Sequence, residues 1–209
     1  MNSKRSSTVF IVDDNPSVRK ALTRLVRSAG YEVGAFASAK EFLADGHADG
    51  VACLVLDIRM PGLSGIDLQR ELNNAKKIIP IVFITGHGDV PMSVRAMKNG
   101  AVDFFPKPVK DTDLLNAIEQ ALARCARERS ERDEMEDIQS RVDSLTPRER
   151  EVLEHVVAGQ LNKQVAYDLG TVEKTIKVHR ARVMDKMGVD SLAELVRLAE
   201  RAGIGKTIR

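Results

Sequence analysis

Five polar side chains stand where apolar runs end, and together their types could do one chemistry. Asp13 and Asp14 follow VFIV, Asp57 ends CLVLD, Thr85 ends IVFIT, and Lys107 comes just after AVDFF. An aspartate in such a place is either a turn residue or a reactive carboxylate held at the rim of a buried strand. Three carboxylates gathered together repel one another unless a cation neutralises them. An all-oxygen set suits Mg²⁺, which keeps several waters and uses few protein carboxylates. With Lys107 it would stabilise the charge of a phosphoryl group arriving on Asp57, and the Thr85 hydroxyl would bond a phosphoryl oxygen. Pro61 and Gly62 turn the chain away after Asp57 and leave the carboxylate accessible.

The elements that must position these groups follow from the hydrophobic pattern. The runs at 9–12, 31–36, 53–57, 81–85 and 101–105 read as five strands. Segments such as SVRKALTRLVRSAG and MSVRAMKNG have helical apolar spacing and stop at Gly30 and Gly100. Strands alternating with short helices predict an α/β fold with a five-stranded, doubly wound parallel sheet over residues 1–123. Ligands of such sheets bind at the carboxyl ends of the strands, where the five polar residues lie.

Residues 124–143, RCARERSERDEMEDIQSRVD, lack proline and glycine and are dense in mixed charge. Glu128 and Arg132 have the i,i+4 spacing of an exposed helix, so the segment reads as a helical linker. Beyond it, residues 144–209 read as an all-α unit of four helices. TPRE at 146–149 is a capping box with proline at the first helical position. Asn162 and Thr171 are expected to cap the second and third helices, Gly188 to stop the third, and Ser191 with Glu194 to cap the last.

About 100° per residue along the third of these helices, with Val172 set facing the core, puts Ile176, Val183 and Met187 on the inner side with His179. Lys174, Lys177, Val178, Ala181 and Asp185 fall opposite, flanked by Arg180 and Arg182. A ridge of small residues with a central lysine, bordered by arginines, suits a helix in the major groove of DNA; a solvated amphipathic helix has the same pattern. Residues 144–209 carry 12 basic and 9 acidic side chains, against 15 and 14 in residues 1–123. That excess permits a DNA face without demanding one.

Two resemblances join these readings. The pair at 13–14, Asp57 followed by MPG at 60–62, Thr85, and Lys107-Pro108 resemble the receiver domain of two-component response regulators over residues 8–123. The resemblance implies Asp57 as phosphoacceptor and Mg²⁺ held by Asp14, Asp57 and the Arg59 carbonyl, with Asp13 reaching it through water. It further implies Thr85 and Lys107 on the phosphoryl group, Phe104 as an aromatic switch and a cis Lys107–Pro108 bond. LTPREREVL and residues 159–189 resemble the LuxR-type helix-turn-helix domain, in which Lys174, Thr175, Lys177, Val178, Arg180, Ala181 and Arg182 would meet DNA. Leu161 and Val172 depart from that pattern, which leaves the base preference open. Both halves together resemble FixJ/NarL-type response regulators, with the long linker pointing to the FixJ branch.

Other functions fit less well. Haloacid-dehalogenase phosphatases also phosphorylate a strand-end aspartate, but through DxD; here the second acid is Arg59. No GxGxxG or GxxxxGK[ST] is present for a nucleotide. The second hypothesis, a receiver serving as a fixed protein-interaction module, has the intact pocket against it. His87 would face water access to the pocket or be an ordinary loop histidine; His47 and His155 lack partners for a metal site. Cys53 and Cys125 are far apart and outside any zinc spacing, which favours free thiols and the cytoplasm. No apolar run approaches the ~20 residues needed to cross a bilayer, and MNSKRSSTVF lacks a signal-peptide core. The expected protein is a non-enzymatic transcription regulator with a sensor histidine kinase, double-stranded promoter DNA and RNA polymerase as partners. It would form a homodimer when phosphorylated and bind no membrane.

Overall fold

Apolar residues on both faces of the three central strands are covered. The computed structural model describes residues 7–46, 50–86 and 90–205. Among them the strands are β1 (Thr8–Val12), β2 (Glu32–Phe36), β3 (Ala52–Asp57), β4 (Ile81–Thr85) and β5 (Asp103–Pro106). The helices between them are α1 (Pro16–Ser28), α2 (Ala39–Asp45), α3 (Gly65–Asn74) and α4 (Val90–Lys98), with α5 (Asp111–Asp143) following β5. The sheet is parallel throughout, in the order β2-β1-β3-β4-β5. Phe10, Val12, Leu54, Leu56 and Phe83 enter one apolar layer with Phe42, Leu68 and Leu72 from the helices. Val9, Ile11, Val55, Val82 and Ile84 enter the other, with Leu22, Leu114 and Ile118. A strand buried on both faces is why the segments read as nearly unbroken apolar runs.

The chain divides into two compact units, residues 1–129 and 130–209. The first strand expected at 9–12 begins at Thr8, and the fifth, expected at 101–105, runs instead from Asp103 to Pro106. Ala101 and Val102 precede it after a turn in which the Ala101 N–H donates to the Ala96 carbonyl at 3.1 Å, and the Val102 N–H donates across to the Ile81 carbonyl of β4 at 2.8 Å.

In α5 the residues Leu114, Ala117, Ile118, Ala121, Leu122 and Cys125 are buried, then residues 130–137 are exposed without interruption, then Ile138 and Val142 are buried. The exposed turns are supported by Arg132–Glu136 at 2.9 Å and Asp137–Arg141 at 2.8 Å. Glu128 does not pair with Arg132. It reaches back to Arg124 at 2.7 Å, whose guanidinium also donates to the Gly100 carbonyl.

The second unit is helical: α6 (Pro147–Val157), α7 (Asn162–Asp168), α8 (Glu173–Met187) and α9 (Leu192–Arg201). The capping box at Thr146 and Glu149 forms, Ser191 caps α9, and Gly188 ends α8 in the left-handed conformation at φ 65°. Two expected caps do not hold. Asn162 is the first residue of α7, and Leu161 occupies the N-cap, where Gln164 accepts from the Leu161 N–H at 2.7 Å. Val172, not Thr171, caps α8, and its side chain offers no acceptor. Val172 is 65% exposed, so it does not face the core. A non-helical cap residue falls outside the 100° spiral, and the rotation must start from Glu173. Ile176, Val183 and Met187 are buried as expected, around a core with Val152, Leu153, Val165 and Leu195. No helix among the described residues is long and apolar enough to cross a membrane.

Candidate functional site

The carboxyl ends of β1, β3, β4 and β5 meet along one edge of the parallel sheet, and that places the polar residues. Asp13 follows β1, Asp57 is the last residue of β3, Thr85 the last of β4, and Lys107 follows β5. Asp13, Asp14 and Asp57 each offer a carboxylate oxygen within 4.8 Å of the others. Asp13 and Asp57 are buried and Asp14 is exposed. The Lys107 ammonium lies 2.6 Å from Asp13 Oδ2 and 3.1 Å from Asp57 Oδ2. Asp13 spends its other oxygen on the Asn15 N–H at 2.9 Å.

Asp57 is less well provided for. Its Oδ1 is buried and has no hydrogen-bond partner among the described residues. Burial pushes its carboxyl above the ordinary carboxylate range, Lys107 pulls it down, the neighbouring Asp13 charge pushes it up again, and the Ile58 N–H draws it slightly down. An oxygen left without a donor in a buried acidic cluster is an unmet demand for positive charge. The set is hard oxygen throughout, with an exposed member in Asp14, and therefore fits Mg²⁺ better than a softer metal. Receiver domains bind Mg²⁺ at acidic pockets of this composition.

Thr85 is buried, and its carbonyl accepts from the Lys107 N–H at 2.7 Å, which ties β4 to the lysine. The Lys107–Pro108 bond is cis. Phe104 is half-buried on β5, opposite Phe83, and packs against the layer that holds Leu54 and Leu56. Arg59 is exposed in the turn after β3. His87 and His47 lie outside the described residues. His155 sits in the second unit with Nδ1 2.5 Å from Gln160 Oε1.

Three supports escaped the reading of the sequence. Arg19 donates to the Asp13 carbonyl at 2.6 Å, and Asn15, which also caps α1, orients Asp13. Asn15 before Pro16 was the available sign, since asparagine then proline marks a helix start. Gly65 starts α3 against the end of β3; a Cβ there would lie 2.3 Å from the Asp57 carbonyl oxygen. Only glycine allows that approach, and nothing in its spacing announces it.

The second unit presents its own face. Lys174, Lys177, Val178, Ala181 and Arg182 are exposed on α8, while Thr175 and Arg180 are partly buried. Lys177 pairs with Glu173 at 3.2 Å, an exposed contact that costs little to break. Arg180 donates to Asn162 Oδ1 at 3.2 Å, which ties it to α7. Behind this face, Lys186 donates to buried Glu149 at 2.7 Å and to the Ser144 carbonyl at 2.9 Å. Lys186 and the Thr146 N–H hold the Glu149 carboxyl down at about 2.

Comparison with known proteins accounts for both units. The model of the response regulator receiver domain matches residues 9–119, and that of the bacterial regulatory proteins of the luxR family matches residues 143–199. Nodulation protein W of Bradyrhizobium diazoefficiens is 50% identical over 94% of this chain and 86% of its own length. The transcriptional regulatory protein FixJ of Rhizobium meliloti is 48% identical over 95% and 97%. A low-resolution structure of the response regulator StyR matches with a TM-score of 0.87 and 50% identity, over 94% of this chain and 99% of that one. Full-length FixJ from B. japonicum matches with a TM-score of 0.57 and 44% identity, over 94% and 97%. The chain belongs to the response regulators that join a receiver domain to a luxR-family DNA-binding domain, which are phosphorylation-dependent regulators of transcription.

Proposed function

We propose that a sensor histidine kinase passes its phosphoryl group to Asp57. The phosphorus–nitrogen bond of the phosphohistidine breaks, a phosphorus–oxygen bond to the Asp57 carboxylate forms, and the kinase histidine is released. The observation that carries this reading is the buried Asp57 carboxylate, with Oδ2 3.1 Å from the Lys107 ammonium and Oδ1 unpartnered among the described residues. Lys107 is positioned to offset the incoming charge, and the Thr85 hydroxyl to bond a phosphoryl oxygen. Asp14, Asp57 and the Arg59 carbonyl would hold Mg²⁺, with Asp13 acting through water. When bound, the metal supplies positive charge to the transferring phosphoryl oxygens.

Movement of Thr85 and Phe104 then repacks the face formed by α4 and β5. Moving a two-state equilibrium from 1:99 to 99:1 takes about 5.5 kcal/mol. Val94 and Met97, each nearly half exposed on α4, support a homodimer formed on that face after phosphorylation. We assign residues 1–123 to the receiver, 124–143 to a connecting helix and 144–209 to the DNA-binding domain. On α8, Lys174, Thr175, Lys177, Val178 and Ala181 would read promoter DNA, while Arg180 and Arg182 would meet phosphates. Contact with RNA polymerase rests on the family alone. The free, buried thiols of Cys53 and Cys125 support a cytoplasmic location. The family is a class of regulators, and we assign no metabolic catalysis.

Incubation with acetyl phosphate and Mg²⁺, followed by peptide mapping in a mass spectrometer, tests the assignment. One phosphoryl adduct on the peptide containing Asp57 is expected. A stable adduct elsewhere, with Asp57 unmodified, removes the assignment.

A further inference from the structure

A cavity of about 760 Å³ opens beside the acidic cluster, between the turn after β3, the first turns of α3, and α4. Its size lies within the range of small-molecule sites, about 300–1,000 Å³. Met60, Ile66 and Met92 give it apolar walls. Arg59, Arg70 and Arg95 come to it from three different segments, and Asp14 stands at its edge.

Among the described residues, not every charge that lines the cavity has a partner. Asp67 accepts from Ser64 Oγ at 2.5 Å and lies 3.6 Å from Arg70, so its carboxylate and that guanidinium are engaged. The exposed guanidinium groups of Arg59 and Arg95 have no hydrogen bond or ion pair among the described residues. A guanidinium binds a carboxylate through two parallel hydrogen bonds. Methionine sulfur and apolar walls favour an aromatic body over a short alkyl one. In the metal-free protein the Asp14 carboxylate at the edge repels a second negative charge, which disfavours dianions and polyanions.

We propose that this cavity is a binding site for a small aromatic monocarboxylate, held by Arg95 and Arg59 at the carboxylate and by Met60, Ile66 and Met92 at the ring. The site borders the phosphoryl pocket and shares Asp14 and Arg59 with the residues that would hold Mg²⁺, but binding there requires no phosphorylation of Asp57.

Titration of the full chain with 2-naphthoate, 2-naphthamide and acetate tests the proposal, with the methyl resonances of Met60 and Met92 followed by NMR. Saturable one-to-one binding of 2-naphthoate is expected, with both methionine methyls shifting. The amide lacks the charge and acetate lacks the ring, so each should bind at least tenfold more weakly. Arg95→Gln should weaken 2-naphthoate at least tenfold and Arg95→Lys less, because lysine keeps the charge and loses the fork. The proposal is overturned by no saturable binding, by methionine methyls that do not move, by amide or acetate binding as tightly, or by unchanged affinity in Arg95→Gln. The methyl shifts are read in the wild-type protein and do not depend on how any variant folds.

Discussion

Each unit buries a carboxylate beside a lysine, and the two pairs differ in what is left over. In the second unit Glu149 accepts from Lys186 and from the Thr146 N–H, its charge is satisfied, and its carboxyl sits at about 2. In the receiver Asp57 shares Lys107 with Asp13, keeps one oxygen without a partner, and is pushed upward by burial. A satisfied pair holds α6 to α8; an unsatisfied one is ready for added positive charge and for chemistry. The difference teaches that a buried ion pair has to be read by its remaining valences, not by its presence.

The largest break in that comparison comes from removing each acid. Asp57→Asn should abolish the phosphoryl adduct, because an amide is not a competent nucleophile. It should also leave the receiver as stable as before or more so at pH 7, since a raised carboxyl contributes stability only at low pH and loses it as pH rises through its folded value. Intact-mass analysis reads the first effect, and hydrogen exchange of the receiver amides the second. A receiver clearly destabilised by Asp57→Asn would contradict the account.

Lys186→Met should do the reverse and cost the second unit about 3 kcal/mol, because buried Glu149 is left without its cation. Glu149→Gln should destabilise at neutral pH too, and here pH sharpens the contrast. Glu149 is depressed from 4.5 to about 2, so its contribution is present above 4.5 and lost as pH falls toward 2. Exchange protection in wild type and Glu149→Gln should therefore converge in that window. A gap that persists unchanged at pH 2 would show that the charge is not the cause.

Asp14→Ala should weaken Mg²⁺ about tenfold or more, as loss of a ligand and a local charge. Asp13→Ala should weaken it less, because Asp13 is held by Lys107 and Asn15. Isothermal titration distinguishes them, and equal affinity in both variants and wild type would remove the cluster as a metal site. The smallest effects lie on α8. Lys177→Ala should cost about 1–3 kcal/mol on specific DNA and little on random DNA. Arg182→Ala should weaken both and flatten the salt dependence. Titrations at several salt concentrations read the difference.

The sheet and the pocket residues were legible because buried parallel strands leave long apolar runs, and the runs of β1, β3 and β4 end on or just before the polar residues that meet at the sheet edge. The helices of the second unit were legible from TPRE, Gly188 and Ser191, whose side chains or φ make the cap. Its two inner caps were not, since Leu161 and Val172 cap by backbone and by Gln164, and no side-chain chemistry marks them. The Val172 error then rotated the assumed origin of α8, although Ile176, Val183 and Met187 still supplied the inner face. Gly65 and Arg19 act on the backbone of Asp57 and Asp13 through the fold of the loops that follow the strands, which composition and spacing do not encode, whereas Asn15 before Pro16 left a sign. The Glu128–Arg124 pair shows the same limit: two partners satisfy i,i+4 equally, and the choice was made by Gly100 drawing Arg124 toward the receiver.

The central claim is that chemistry at Asp57 controls the DNA face of the second unit. Its most direct test is a DNA titration of the full chain with and without acetyl phosphate and Mg²⁺, beside Asp57→Asn treated identically. The duplex is one selected by the phosphorylated protein from a random-sequence pool. The account predicts that phosphorylation tightens binding at least tenfold in the wild type and changes nothing in Asp57→Asn. Equal affinity of phosphorylated and unphosphorylated wild-type protein, with the adduct verified on Asp57, would contradict it.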